Sequence, residues 1–129
     1  MYGVSTKVST GFDETVDRVT AALKSEGFGV LSDIDVAATL KAKLDVEHPR
    51  YRILGACNPS FAHQAITAEP DIGVLLPCNV VVREDEDGQV NVLYMNPLDV
   101  LELVDNPQVP GLAAQVRDGL DRAMASLQD

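Results

Sequence analysis

Two cysteines, each followed by an asparagine, are the residues of this chain whose types and setting best suit chemistry. One stands in Gly55-Ala56-Cys57-Asn58-Pro59, the other in Leu76-Pro77-Cys78-Asn79-Val80. Asparagine is a strong helix N-cap and proline is favoured at the first helical position, so Asn58-Pro59 reads as a helix start with Cys57 just ahead of it. The free N–H groups and positive dipole end at such a place favour thiolate over thiol, or hold an anionic part of a ligand. Pro77 removes a ladder donor beside Cys78, which marks a bulge, a kink or an edge. Set at neighbouring strand ends, Cys57, Asn58, Cys78 and Asn79 would line one pocket. Packing is the competing use, because free cysteine is among the most buried residue types and serves as a small apolar filler.

Other arrangements are poorer. His63 follows Cys57 by six positions, but two sulfurs and one nitrogen lack a fourth ligand and have no C-x-x-C spacing, so no metal is expected. His63 reads instead as a surface helix residue. G-x-S-x-G, H-E-x-x-H and P-loop motifs are absent. Asp33 and Asp35 flank Ile34 and read as helix-start chemistry, where negative residues are stabilising. Arg50 and Arg52 bracket Tyr51 and could grip an anion, or simply balance an acidic surface.

The wider composition bounds these options. At 129 residues, 46% hydrophobic and 23% charged, the chain fits a single domain over 1–129. Ten Lys and Arg against twenty Asp and Glu give a net charge of -10, which repels phosphate backbones and anionic membrane surfaces, so nucleic acid is not an expected partner. No apolar run approaches the roughly 20 residues of a membrane span. Residues 1–7 lack the features of a secretory signal, so a cytoplasmic protein with free thiols is expected.

The elements that must position the cysteines follow from periodicity. Tyr2, Val4, Thr6 and Val8 alternate as a half-buried strand. Thr10 and Asp13 resemble a capping box ahead of a helix through Phe12, Val16, Val19 and Leu23, which Gly27 would end. Phe28, Val30 and Leu31 give a short strand, and Val36, Leu40 and Leu44 form a second helical stripe. Tyr51 to Cys57 is a strand, followed by a short helix through Phe61, Ala65 and Ile66. Ile72 to Val82 is apolar enough for a buried strand broken at Pro77. The run Arg83-Glu84-Asp85-Glu86-Asp87-Gly88 reads as the solvated turn of a hairpin whose return strand is Val90, Val92 and Tyr94. Asn96-Pro97 and Asn106-Pro107 look like two more helix starts, the second opening a long helix with Leu112, Val116, Leu120, Ala123 and Leu127 on one face. A hairpin mixed with helical connections indicates an α+β domain whose largely antiparallel sheet carries its helices on one face.

Residues 51–59 and 72–82, with Gly27-Phe28-Gly29-Val30-Leu31-Ser32-Asp33-Ile34-Asp35 and the final helical segment, closely resemble the domain of unknown function 302 family. The resemblance spans nearly the whole chain. It implies a TATA-binding-protein-like β-α-β(4)-α fold and a homodimer, and no established reaction. Cys57 and Cys78 are the positions that match its Cys-Asn motifs, whereas His63 matches none. DNA binding does not travel with the fold name, since function belongs to a site. Three uses stay open: small-ligand binding or sensing at the Cys-Asn pocket, a thiol-dependent redox protein or enzyme using Cys57 and Cys78, and a homodimeric interaction module without chemistry.

Overall fold

Residues 1–127 are described in a computed structural model; Gln128 and Asp129, the end of the expected 1–129 domain, lie outside the described residues. Alternation along Gly3–Val8 forms β1, whose Val4 and Val8 pack toward the core. Helix α1 (Phe12–Ser25) presents Phe12, Val16, Val19 and Leu23 as one buried stripe and stops before Gly27, at φ +84°. The expected capping box does not form. Gly11 is the N-cap, and the Thr10 and Thr15 hydroxyls meet each other at 2.6 Å.

The chain continues through β2 (Gly29–Asp35), α2 (Val36–Leu44), β3 (Tyr51–Cys57), α3 (Pro59–Ala68), β4 (Cys78–Glu84), β5 (Val90–Met95), α4 (Pro97–Val100) and α5 (Val109–Ala125). All strand pairs are antiparallel, in the order β1-β5-β4-β3-β2. The fold is therefore α+β, a five-stranded antiparallel sheet with its helices on one face. The acidic run closes the β4–β5 hairpin, with Gly88 at φ +90°, a conformation L side chains rarely adopt.

Leu54, Ala56, Val80, Val82 and Val92 on the covered face meet Val19 and Leu23 of α1 and Leu120 and Ala123 of α5. A smaller cluster of Ala65, Ile72, Leu101, Val109 and Ala113 ties α3 and α4 to α5. Leu76 packs against both clusters.

Four local expectations need correction. Pro70–Leu75 is a 3-10 turn and not the start of a strand, so β4 begins only at Cys78. Pro70 fixes a helical φ at one end and Pro77 lacks the N–H a ladder requires at the other, so pairing starts with the residue after it. The stripe on α2 buries no side chain, because α2 leaves the edge strand β2 and no further strand or helix among the described residues covers that side. Asp33 lies in β2 rather than at a helix start, although Asp35 does cap α2, accepting from the Ala38 N–H at 2.9 Å. Asn106 opens the turn that leads into α5 rather than standing at the cap itself, which is Gln108; its side-chain oxygen accepts from the Gln108 N–H at 2.9 Å, and its amide donates to the Ala68 carbonyl at 2.9 Å, tying the end of α3 to the start of α5.

Candidate functional site

Asn58 does cap α3. Its side-chain oxygen accepts from the N–H groups of Ser60 at 3.2 Å and Phe61 at 3.4 Å, which leaves Cys57 one residue ahead of the cap. Cys57 is half-buried and Cys78 buried, and both are free thiols. Ala56 is the cross-strand partner of Cys78, so Cys57 stands one step further along β3. Both cysteines and Asn58 line a seam between the two core clusters, walled by Phe28, Phe61, Leu76 and Val116. Its volume is about 50 Å³, room for a few water molecules and not for a metabolite. Burial, and to a smaller extent the neighbouring Cys57, push the Cys78 thiol up to about 11. At neutral pH Cys78 is therefore protonated and a poor nucleophile.

Asn79 does not join them. Successive strand residues point to opposite faces, so with Cys78 in the core Asn79 is exposed on the other side of the sheet. The four-residue pocket expected from the two dipeptides is a three-residue seam. Replacing Asn58 by Ala is expected to lower stability by about 1 kcal/mol through loss of the cap, and Asn58→Asp to retain most of it. Urea unfolding followed by circular dichroism checks both; equal stability of all three proteins would mean the cap contributes nothing.

The face that Asn79 joins has features of its own. Cross-strand pairing places Ile34, Ile53, Val81 and Leu93 in one row across β2, β3, β4 and β5. Ile53, Val81 and Leu93 are half-buried and belong to neither core cluster. Over this row lies a cavity of about 310 Å³ whose lining includes Tyr2, Tyr51, Asn79, Val81, Arg83 and Leu93. Tyr51 and Arg83 are themselves a cross-strand pair, one step along from Ile53 and Val81 on the same face. Arg83 donates to the Asp85 carboxylate, which also accepts from Asn91 Nδ2 at 3.0 Å. Asn91 and Arg83 together hold the Asp85 carboxyl below the usual carboxylate range. Apart from Asn79, no sequence motif marks these residues as one site. The signal was available: Val80-Val81-Val82 and Val92-Leu93 put apolar side chains on both faces of strands whose helices cover only one.

The other candidates disperse. Arg50 donates to Asp13 at 2.7 Å and lies 4.2 Å above the centre of the Phe12 ring, and Arg52 makes a two-pronged bond to Asp33. Both arginines pair with a neighbouring aspartate and neither lines the cavity over the apolar row, so they form no anion grip there. His63 lines a separate opening between α3 and α5 with Gln64, Thr67 and Gln108. Among the described residues no group of three His, Cys, Asp or Glu side chains is placed to hold a metal ion, and no helix is long and apolar enough to cross a membrane.

A single antiparallel sheet in the order β1-β5-β4-β3-β2, with α1 and α5 packed on one side, defines the class: an α+β domain of the β-α-β(4)-α kind with α2 and α3 inserted between strands. The chain belongs to the family described as Domain of unknown function DUF302, which matches residues 4–127. It is similar to the crystal structure of an uncharacterized conserved DUF302 protein from Bacillus stearothermophilus, at 29% identity and a TM-score of 0.92, with 99% of each chain covered. It is also 32% identical over 75 residues to an uncharacterized protein of Aquifex aeolicus (strain VF5), a match that takes in 58% of this chain and 46% of that protein. The chain thus spans less than half of that relative's length.

Proposed function

We propose that this chain is a small-molecule binding or sensing domain whose ligand lies on the uncovered face of the sheet, over Val81 and Leu93 and between Tyr2 and Tyr51. The observation that carries this reading is the apolar row Ile53, Val81 and Leu93 outside both core clusters. An antiparallel sheet with helices on one side ordinarily turns polar residues to water on the other, and a contiguous apolar patch there marks a contact surface. The cavity of about 310 Å³ falls at the lower end of the range for small-ligand sites, roughly 300–1,000 Å³. The thiol seam, at about 50 Å³, serves packing in this reading. Unbridged cysteines support a reducing compartment, the cytoplasm.

Thiol chemistry is the second reading. It is favoured by the two sulfurs sharing one seam and opposed by the burial that keeps Cys78 protonated. A homodimer, the third use, would compete for the same face, since Ile34 carries the row to the sheet edge and is 50% exposed there.

Val81→Asp tests the ligand reading. A mixture of small apolar compounds, followed by backbone amide shifts, should move Tyr51, Val81 and Leu93 in the unmodified protein. The variant should bind at least about tenfold more weakly, because a carboxylate must be desolvated beneath the ligand. Its stability should fall by only about 1–2 kcal/mol, the effect of a poorer strand former at a half-exposed position. Absence of shifts, together with a concentration-independent dimer mass that Val81→Asp converts to monomer, would assign the face to a second copy instead.

A further inference from the structure

We infer that the ligand of this face is an amphipathic monoanion, an aromatic or alkyl body ending in a carboxylate, with Arg83 as the residue that reads the charge. The inference rests on the face being a ligand site. The chain carries twenty acidic residues against ten basic ones, yet no carboxylate lines the cavity, and Arg83 is the one charged residue among the described residues that does. Its guanidinium has five donors, and the Asp85 contact occupies an Nη1 position, so further N–H groups remain for a carboxylate. Arg83 lies two residues along β4 from Val81, about 7 Å at the rise of a strand. A body lying on Val81 and Leu93 therefore brings a head group one or two bonds beyond it to the guanidinium. Tyr51, opposite Arg83 on β3, walls that end of the cavity with an amphipathic ring. A net charge of -10 and the partial neutralisation of Arg83 by Asp85 both disfavour multiply charged anions such as phosphates.

Isothermal titration of the full chain with 4-phenylbutanoate and with its neutral amide, 4-phenylbutanamide, tests this. The acid should bind about tenfold more tightly than the amide, the effect of one charge-assisted hydrogen bond. Arg83→Gln should erase that preference by weakening the acid much more than the amide, and Arg83→Lys should keep part of it. Asp85→Asn breaks the same ion pair yet frees the guanidinium, so it should tighten acid binding severalfold. That variant separates loss of charge recognition from a loosened hairpin. Equal affinity for acid and amide in the unmodified protein, or acid binding unchanged in Asp85→Asn, overturns the anion and leaves the face as a site. Binding of neither compound at millimolar concentration overturns the face itself, and the inference with it.

Discussion

Gly55→Ala is expected to lower the unfolding free energy by about 2–3 kcal/mol, the usual size of an overpacking defect. A Cβ at residue 55 would collide with Ser32 Oγ and lie 2.8 Å from Pro77 Cγ. These two neighbours do not yield equally. The Ser32 hydroxyl can turn to another rotamer, whereas the pyrrolidine ring of Pro77 is fixed to the backbone that leads into Cys78. Adding Ser32→Ala should accordingly restore less than half of the lost stability, and the remainder belongs to the contact with Pro77. Because Pro77 and Cys78 wall the seam, the same substitution should raise the rate at which a small alkylating reagent reaches Cys78. Urea denaturation and thiol labelling measure the two effects. Stability within about 0.5 kcal/mol of the unmodified protein, the range of an ordinary surface change, would mean that β3 has room at this point.

The contrast between Cys57 and Asn79 shows what could be read in advance. Local signals located the helices and turns near both sites: the Asn58-Pro59 start, the Phe12, Val16, Val19 and Leu23 stripe, and Gly88 in its hairpin all act within a few residues. Adjacency in sequence groups Asn79 with Cys78, whereas the two-residue period of a strand separates them. The turn at Pro70–Leu75 is obscured because Ile72 and Leu75 are apolar for tertiary reasons, Ile72 in the smaller cluster and Leu75 packed against it. Nor does periodicity carry strand order. That β1 pairs with β5 to form one edge while β2 forms the other depends on pairings between residues some 90 positions apart, such as Thr6 with Val92, and the stripe on α2, which leaves the β2 edge, stays uncovered. The apolar row on the uncovered face depends on the same long-range register, since Ile53, Val81 and Leu93 become neighbours only once β3, β4 and β5 are aligned.

Stability is expected to fall steeply above pH 9, and Cys78 should supply about 2–3 kcal/mol of that fall, at 1.36 kcal/mol for each unit of displacement. Burial, with a smaller contribution from Cys57, raises the Cys78 thiol from 9.0 to about 11. Between those values the unfolded chain has lost the proton and the folded one retains it. The unfolded state thus binds fewer protons, and stability declines as pH climbs through the interval. Below pH 9 both states are protonated and the thiol has no effect on the pH dependence. Tyr94 acts in the same direction one unit higher: burial, then its hydrogen bond to Asp121 and the charge of that carboxylate, raise the phenol from 10.0 to about 12, against a smaller opposing pull from Arg117. Cys78→Ala will be less stable at every pH because it leaves a small void, but its stability should decline less between pH 9 and 11. Asp121→Asn should reduce the decline that begins near pH 10, because the phenolate no longer faces a negative neighbour. Urea unfolding at intervals from pH 8 to pH 11 reads these slopes. Parallel curves for the unmodified protein and Cys78→Ala would place the thiol in contact with water, and with that the case for a closed, packing role of the seam would fail, returning weight to thiol chemistry at Cys57 and Cys78.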